Sequence, residues 1–244
     1  MTKHKFLRGL LAAFLLMVAG LASAAEPAKV IVGTYINKIF DLSFKENHYT
    51  IDFYVWFRWK AEGDLADYKP LESFELMNGR IDNKTGIVEK KIGDVNYAQA
   101  RVTATILQNW ALTAFPFDNH RLAIHLEDSA KVSSEMVFVP DPDNSGLGDE
   151  IGISGWTVSG FASQVVGKVY KSNYGDISLP TNAASEFSRF TFSMDLLRDN
   201  YGAAMKLLST VLAATLVAFV AFVINPVDVD PRFGVGVGAL FAVA

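Results

Sequence analysis

Side chains able to do chemistry are few in this chain and poorly spaced for catalysis. There is no cysteine, which removes a thiolate zinc site, a thiol nucleophile and a disulfide scaffold together. The histidines are His4, His48, His120 and His125. His120 and His125 fall on one strand-like segment, where alternation sends them to opposite faces. Imidazoles that diverge cannot share a metal ion, so they read as surface or turn histidines. No Gly-x-Ser-x-Gly elbow, His-Glu-x-x-His pair or phosphate-binding glycine loop occurs. Without a nucleophile–base pair an enzyme has no support, and no cofactor or metal is implied. Asp141-Pro142-Asp143-Asn144, with Asp149 and Glu150, offers oxygen donors of the kind calcium takes, but reads more simply as an acidic surface loop. Asn83-Lys84-Thr85 fits a glycosylation sequon by pattern alone.

The elements that must position these residues are set by where the apolar residues sit. Of 244 residues, 50% are hydrophobic and 20% charged, and the formal net charge is −4. Lysines and arginines form no basic stripe, so nucleic acid is excluded as a partner. Lys3, Lys5 and Arg8 precede an apolar run from Leu10 to Leu21 that closes on Ala22-Ser23-Ala24. A basic start, a short apolar stretch and a small-x-small site describe a secretory signal peptide over 1–24. The chain from Ala25 onwards is therefore expected to be exported.

A second apolar block, at 205–224, has only Lys206, Ser209, Thr210 and Thr215 as polar members. Twenty helical residues rise about 30 Å, the thickness of a bilayer's hydrocarbon core. The block predicts a transmembrane helix that stops at Asn225-Pro226. A short link leads to a third apolar stretch, 232–244, expected as the start of a second membrane helix that the sequence does not complete. The expected organisation is thus a signal peptide (1–24), an exported domain (25–200) and a membrane domain (201–244).

The exported part is strand-like throughout. Ile51, Phe53, Val55, Phe57 and Trp59 alternate with polar or amphipathic neighbours, as do Val102, Ala104 and Ile106. The same holds for Leu122, Ile124 and Leu126, and for Phe190, Phe192, Met194 and Leu196. Period two with turn clusters between the runs predicts an all-β, immunoglobulin-like antiparallel sandwich of about ten strands. Its last strand runs almost directly into the first membrane helix through Arg198-Asp199-Asn200-Tyr201. So short a join couples the two regions mechanically, where a tethered enzyme would carry a flexible spacer.

One segment resembles a family signature. Phe115-Pro116-Phe117-Asp118, followed by Asn119-His120, is similar to the Phe-Pro-Phe-Asp-x-Gln loop of pentameric ligand-gated ion channels, the Cys-loop receptor superfamily. The order of features around it agrees. Asp52 to Trp59 resembles the family's second strand, Arg198 falls where the family has a basic residue before the first membrane helix, and Asp230 to Gly236 resembles the start of its pore-lining helix. The two cysteines that flank the loop in animal members are replaced by Gln108 and Leu122, as in bacterial relatives. The signature glutamine is His120, and Ser129 stands near the place of an aromatic-box tryptophan, which speaks against a quaternary-ammonium ligand.

The resemblance implies a homopentamer in the inner cell membrane, multi-pass, with the sandwich periplasmic or extracellular and in contact with membrane lipid only below it. A small-molecule ligand or protons would bind between neighbouring sandwiches and open a pore for ions. Tyr54 and Trp56 would line one side of the ligand site; Tyr170 and Tyr174, on the turn that caps it, would come from the neighbour, and Asp128 and Ser129 would sit between them. Glu46, Phe115, Pro116, Phe117, Asp118 and Arg198 would couple the sandwich to the membrane. Asp228 and Asp230 would form an acidic ring favouring cations, while Pro231-Arg232 resembles the same place in anion-selective members; cations are the reading preferred. The alternative is a membrane-anchored periplasmic solute-binding or sensor protein without a conducting pore.

Overall fold

The computed structural model describes residues 26–241 except 176, 179, 181 and 182, and leaves aside the side chains of 200 and 203. The expected signal peptide and the last three residues of the third apolar stretch lie outside the described residues. The alternating segments form ten strands in two sheets. One sheet runs in the order β4 (Gly79–Ile92), β5 (Val95–Leu107), β2 (His48–Lys60), β1 (Ala28–Ser43) and β7 (Met136–Pro140), with the short β8 (Gly146–Leu147) also paired to β1. The other runs β3 (Phe74–Leu76), β6 (Asn119–Asp128), β10 (Ser185–Arg198) and β9 (Trp156–Tyr170).

The inward face of each strand is the one the alternation marks. Phe53, Val55, Phe57, Leu122, Ile124, Phe190, Phe192 and Met194 are all fully buried. Phe53 meets Phe192 across the two sheets with ring centroids 5.2 Å apart. Burying such side chains contributes about 1.5–3 kcal/mol each, which lets a domain without disulfides hold. Trp59 packs edge-on against Tyr68 at 5.6 Å. Tyr68 lies between two one-turn helices, a 3-10 turn at Gly63–Leu65 and α1 (Pro70–Ser73), which close that end of the core with Leu65 and Leu71.

The expectation of a wholly antiparallel sandwich needs one correction. β1 is antiparallel to β2 but parallel to both β7 and β8. The chain reaches β7 from β6, which belongs to the other sheet, and a connection that changes sheets is free of the hairpin that forces antiparallel pairing.

After β10 come two helices, α2 (Asn200–Val220) and α3 (Val229–Phe241). Asp199 caps α2, so the helix starts earlier than the apolar block. It also ends earlier, because 221–223 turn and 224 bends ahead of Pro226. The apolar part of the regular helix, 205–220, rises only about 24 Å. Among the described residues no helix is long and apolar enough to cross a membrane. α3 begins three residues before the expected 232, with Pro231 in the first turn, where its missing N–H costs nothing.

Candidate functional site

Strands β6 and β10 lie side by side and antiparallel, with Leu197 opposite Asn119 at one end and Phe190 opposite Leu126 towards the other. Each end of this pair carries a buried carboxylate held by an arginine.

At the end nearest the helices, Asp118 ends the Phe115–Asp118 loop and precedes β6, while Arg198 ends β10. Arg198 Nε donates to Asp118 Oδ1 at 2.7 Å and Nη2 donates to Oδ2 at 2.8 Å. The Asp118 side chain is only 1% exposed. The two guanidinium hydrogen bonds, opposed by burial and supported by one from His120, pull its carboxyl down to about 2. It is therefore ionised and can only accept. His120 Nε2, 2.8 Å from the same Oδ2, must be the donor in that contact.

Aromatic rings enclose this charged group. The Arg198 guanidinium carbon lies 4.0 Å from the Trp156 ring centroid, 5.0 Å from that of Phe115 and 5.6 Å from that of Phe44. His120 stands edge-on to Trp110 at 5.0 Å and faces Trp156 and Phe44 at 5.6 and 5.8 Å. The expectation that His120 is a surface or turn histidine is thus corrected: its side chain is 3% exposed. Its inward position follows from alternation with Leu122 and Ile124, and the roof comes from Trp110 and Trp156, distant in sequence. Phe115 and Phe117 expose their rings at the sandwich's end, and the Phe115–Pro116 peptide is cis. Glu46 has His48 as its recorded ionic neighbour, at 3.9 Å from Nδ1.

At the opposite end, Arg189 Nε donates to Glu127 Oε1, and its Nη2 donates to the Tyr170 hydroxyl at 2.8 Å. Tyr170 donates in turn to Glu127 at 3.0 Å. Burial first, and the Glu127 contact second, push the Tyr170 phenol up. Nearby, His125 Nδ1 is 2.9 Å from Thr191 Oγ1; burial, reinforced by the Arg189 charge, pulls its imidazole down. Tyr174 lies 6.3 Å from Tyr170 by ring centroid and is 68% exposed.

The sequence-selected residues meet only in part. Tyr170 and Tyr174 come together, but the carboxylate beside them is Glu127. Asp128 is engaged elsewhere, accepting from Tyr68 Oη and Ser73 Oγ and from the Ala130 amide. Ser129 donates through both its amide and its hydroxyl to the Ser73 carbonyl. The pair Asp128–Ser129 therefore pins the connection after β6 to α1. Glu127 was legible in principle, since antiparallel register places Arg189 opposite it once Thr191 is opposite His125.

Tyr54 and Trp56 sit on the outward face of β2, in the other sheet. Within one chain no described hydrogen bond or ring contact joins them to Tyr170 or Tyr174. Trp56 Nε1 donates to Asp141 Oδ2 at 2.9 Å, and Arg58 Nη2 donates to the same oxygen at 2.7 Å. Asn144 donates to the other oxygen. The acidic-loop reading changes accordingly: Asp141 is a buried anion already satisfied by its own chain. Beside it a cavity of about 340 Å³ is lined by Trp56, Arg58, Tyr97, Gln99, Asp141 and Asn144. Asp228 and Asp230 lie exposed, and Arg232 half-buried, at the α2–α3 link and the start of α3.

A comparison with protein families finds no match for the chain. Its sequence is similar to that of a proton-gated ion channel of Gloeobacter violaceus, 23% identical over 159 residues. The similarity covers 58% of this chain and 44% of that relative, so the chain spans less than half of the relative's length. Over that stretch, what the chain is similar to is part of an ion channel.

Proposed function

We propose that the chain is a subunit of a ligand-gated ion channel of the pentameric kind, with the sandwich outside the inner membrane and α2 and α3 within it. The observation that carries the reading is the Asp118–Arg198 clamp. It ties the Phe115–Asp118 loop to the residue two positions before α2. A shift of the sandwich is thereby passed to the helix without slack.

Two further observations support it. α2 exposes Leu207, Leu208, Val211, Leu212, Leu216, Val217, Phe219 and Val220 around its circumference. A helix apolar all round belongs inside protein or lipid, and the apolar run continues past Val220 through Phe222 to Ile224. Tyr54 and Trp56 also lie in a different sheet from Tyr170, which ends β9 ahead of the turn that holds Tyr174, so a site using both sets would be formed between copies. Five chains would bring Tyr170, Tyr174, Glu127 and Arg189 of one against Tyr54 and Trp56 of the next. A ligand opens such a channel only by preferring the open arrangement of that interface. Five copies of Asp228 and Asp230 at the inner mouth would favour cations.

The test is ion flux through the complete gene product in liposomes or under voltage clamp, with its oligomeric mass in detergent. Five copies and ligand- or acid-evoked current are expected, with Asp118→Ala abolishing gating or assembly. Wild-type current in that variant, or a monomer in detergent, overturns the reading.

A further inference from the structure

We propose that His120 is a proton-binding site, and that charging it loosens the Asp118–Arg198 clamp. The output of this site rests on the channel reading above; its chemistry does not.

Asp118 Oδ2 serves two donors at once, Arg198 Nη2 and His120 Nε2, each at 2.8 Å. With His120 neutral the group is balanced, one carboxylate against one guanidinium. Since Nε2 holds the hydrogen shared with Asp118, an added proton goes to Nδ1. The ring then becomes a second cation competing with Arg198 for the Asp118 carboxylate. The described groups against the His120 ring are few: Asp118 from the loop before β6, Trp110 from the same connection, Phe44 beyond β1 and Trp156 from β9. Arg198 from β10 shares Asp118 and the Trp156 and Phe44 rings with it. Among these described contacts, Asp118 and Arg198 are the charged groups. Arg121 on β6 belongs to the other face, donating to Ser193 Oγ.

Aromatic faces hold a cation well but cannot replace a carboxylate. Asp118 therefore turns towards the charged imidazole, and the mutual repulsion falls on Arg198. The arrangement with Arg198 released binds the proton more tightly than the clamped one, so acid shifts the population towards release. By linkage, any ligand that releases Arg198 also tightens proton binding. Histidine is the side chain whose ordinary charge change falls between about pH 5 and 8, the range an exported domain meets.

Glutamine in place of His120 retains an N–H donor for Asp118 and cannot titrate in this range. The experiment compares the complete chain with its His120→Gln, His48→Gln and His125→Gln variants, following tryptophan emission from pH 8 to 5. Trp110 and Trp156 border His120, so a one-proton step is expected in the wild type and in the other two variants, and its loss in His120→Gln. A step that persists in His120→Gln, or none in the wild type, overturns the proposal. Imidazole nitrogen shifts of the histidine-labelled wild type test the same point without a variant: a His120 ring still neutral at pH 5 overturns it. Acid-evoked flux separates the two levels. A half-activation pH moved by about one unit or more in His120→Gln, roughly a tenfold change in proton affinity, supports the site and the channel together. Equal acid activation in both overturns the site alone. A His120-dependent emission step with no flux at any pH upholds the site and defeats the channel reading.

Discussion

The two ends of the β6–β10 pair use the same ingredients to different ends. Both carry a buried carboxylate gripped by an arginine, Asp118 by Arg198 and Glu127 by Arg189. Nine residues of extended chain, about 30 Å, separate the carboxylates along β6. At the lower end the pair is bidentate, shared with a histidine and enclosed by Phe44, Trp110, Phe115 and Trp156. At the upper end the third partner is the phenol of Tyr170, which closes β9 and stands beside exposed Tyr174. On the channel reading proposed above, the enclosed pair would be a joint, and the pair that shares its hydrogen bonds with a residue at a strand's open end would be a sensor of what arrives there.

Asp118→Asn is the harshest test of that contrast. It takes the negative charge from a buried pair that makes two hydrogen bonds with Arg198, and breaking a buried pair from one side costs about 3–5 kcal/mol. Chemical denaturation should show this as a lowered midpoint; a loss below about 1 kcal/mol would make the lower pair no more than a surface bridge. The acid dependence has a defined sign. Asp118 titrates at about 2 in the folded chain, below its unfolded value of about 3.9. Its contribution is complete above about pH 4 and disappears as pH falls through about 2, amounting to about 2–3 kcal/mol by linkage. The wild type's advantage over Asp118→Asn should shrink across that window and be flat above it.

Glu127→Gln should cost less, about 1–3 kcal/mol, because Arg189 makes one bond to the carboxylate where Arg198 makes two, and keeps its second bond to the Tyr170 hydroxyl. The double variant with Asp118→Asn tests whether the ends are independent in stability. Sites so far apart should add to within about 0.5 kcal/mol. A larger coupling would mean that β6 and β10 transmit strain even without ligand, and the joint and the sensor would be one unit.

Which parts of this contrast were legible depends on the range of the interactions. The sandwich was readable because Phe53, Phe57, Leu122, Phe190 and Phe192 each report their face through neighbours two residues away. The clamp was readable only through resemblance of the Phe115–Asp118 loop, since nothing local ties it to Arg198. The burial of His120 was not readable: its roof includes Trp156, on a strand of different register. The resemblance pointed to Asp128; adjacent carboxylates look alike in sequence, and only the pairing with β10 shows that Glu127 meets Arg189. The parallel β1–β7 pair escaped because a five-residue strand carries no mark of direction. The bounds expected for the apolar helix, 205–224, came from composition, which ignores where capping by Asp199 and the turn before Pro226 set the ends of α2.

A third region sharpens the comparison from outside. Trp56 lies over Gly33, where a Cβ would fall 2.4 Å from the indole ring. Gly33→Ala must therefore displace Trp56 and its bond to Asp141, at about 1–3 kcal/mol for an overpacked site. If Tyr54 and Trp56 form the far wall of the ligand site, this variant weakens ligand response while leaving the His120 proton step in place. Loss of that step as well would place Trp56 in the joint and not in the sensor.

The smallest effect on folding should come from Tyr174→Ala, and its value lies in that smallness. The ring is exposed and its neighbours are Tyr170 and its own turn, where Ser172 and Asn173 side chains accept from the Tyr174 and Gly175 amides. Exposed substitutions away from buried networks stay within about 0.5 kcal/mol, so thermal unfolding should be unchanged. Tyr174 also holds a positive φ of 51°, which alanine tolerates little differently from tyrosine. A ligand captured at the upper end should nonetheless lose affinity without Tyr174, while acid-driven changes at the lower end continue. Unchanged ligand response would confine the upper site to Glu127, Arg189 and Tyr170, and a fall in stability would show that the turn belongs to the fold. Only the combination of intact stability, weakened ligand response and an unaltered proton step keeps the two ends distinct in role.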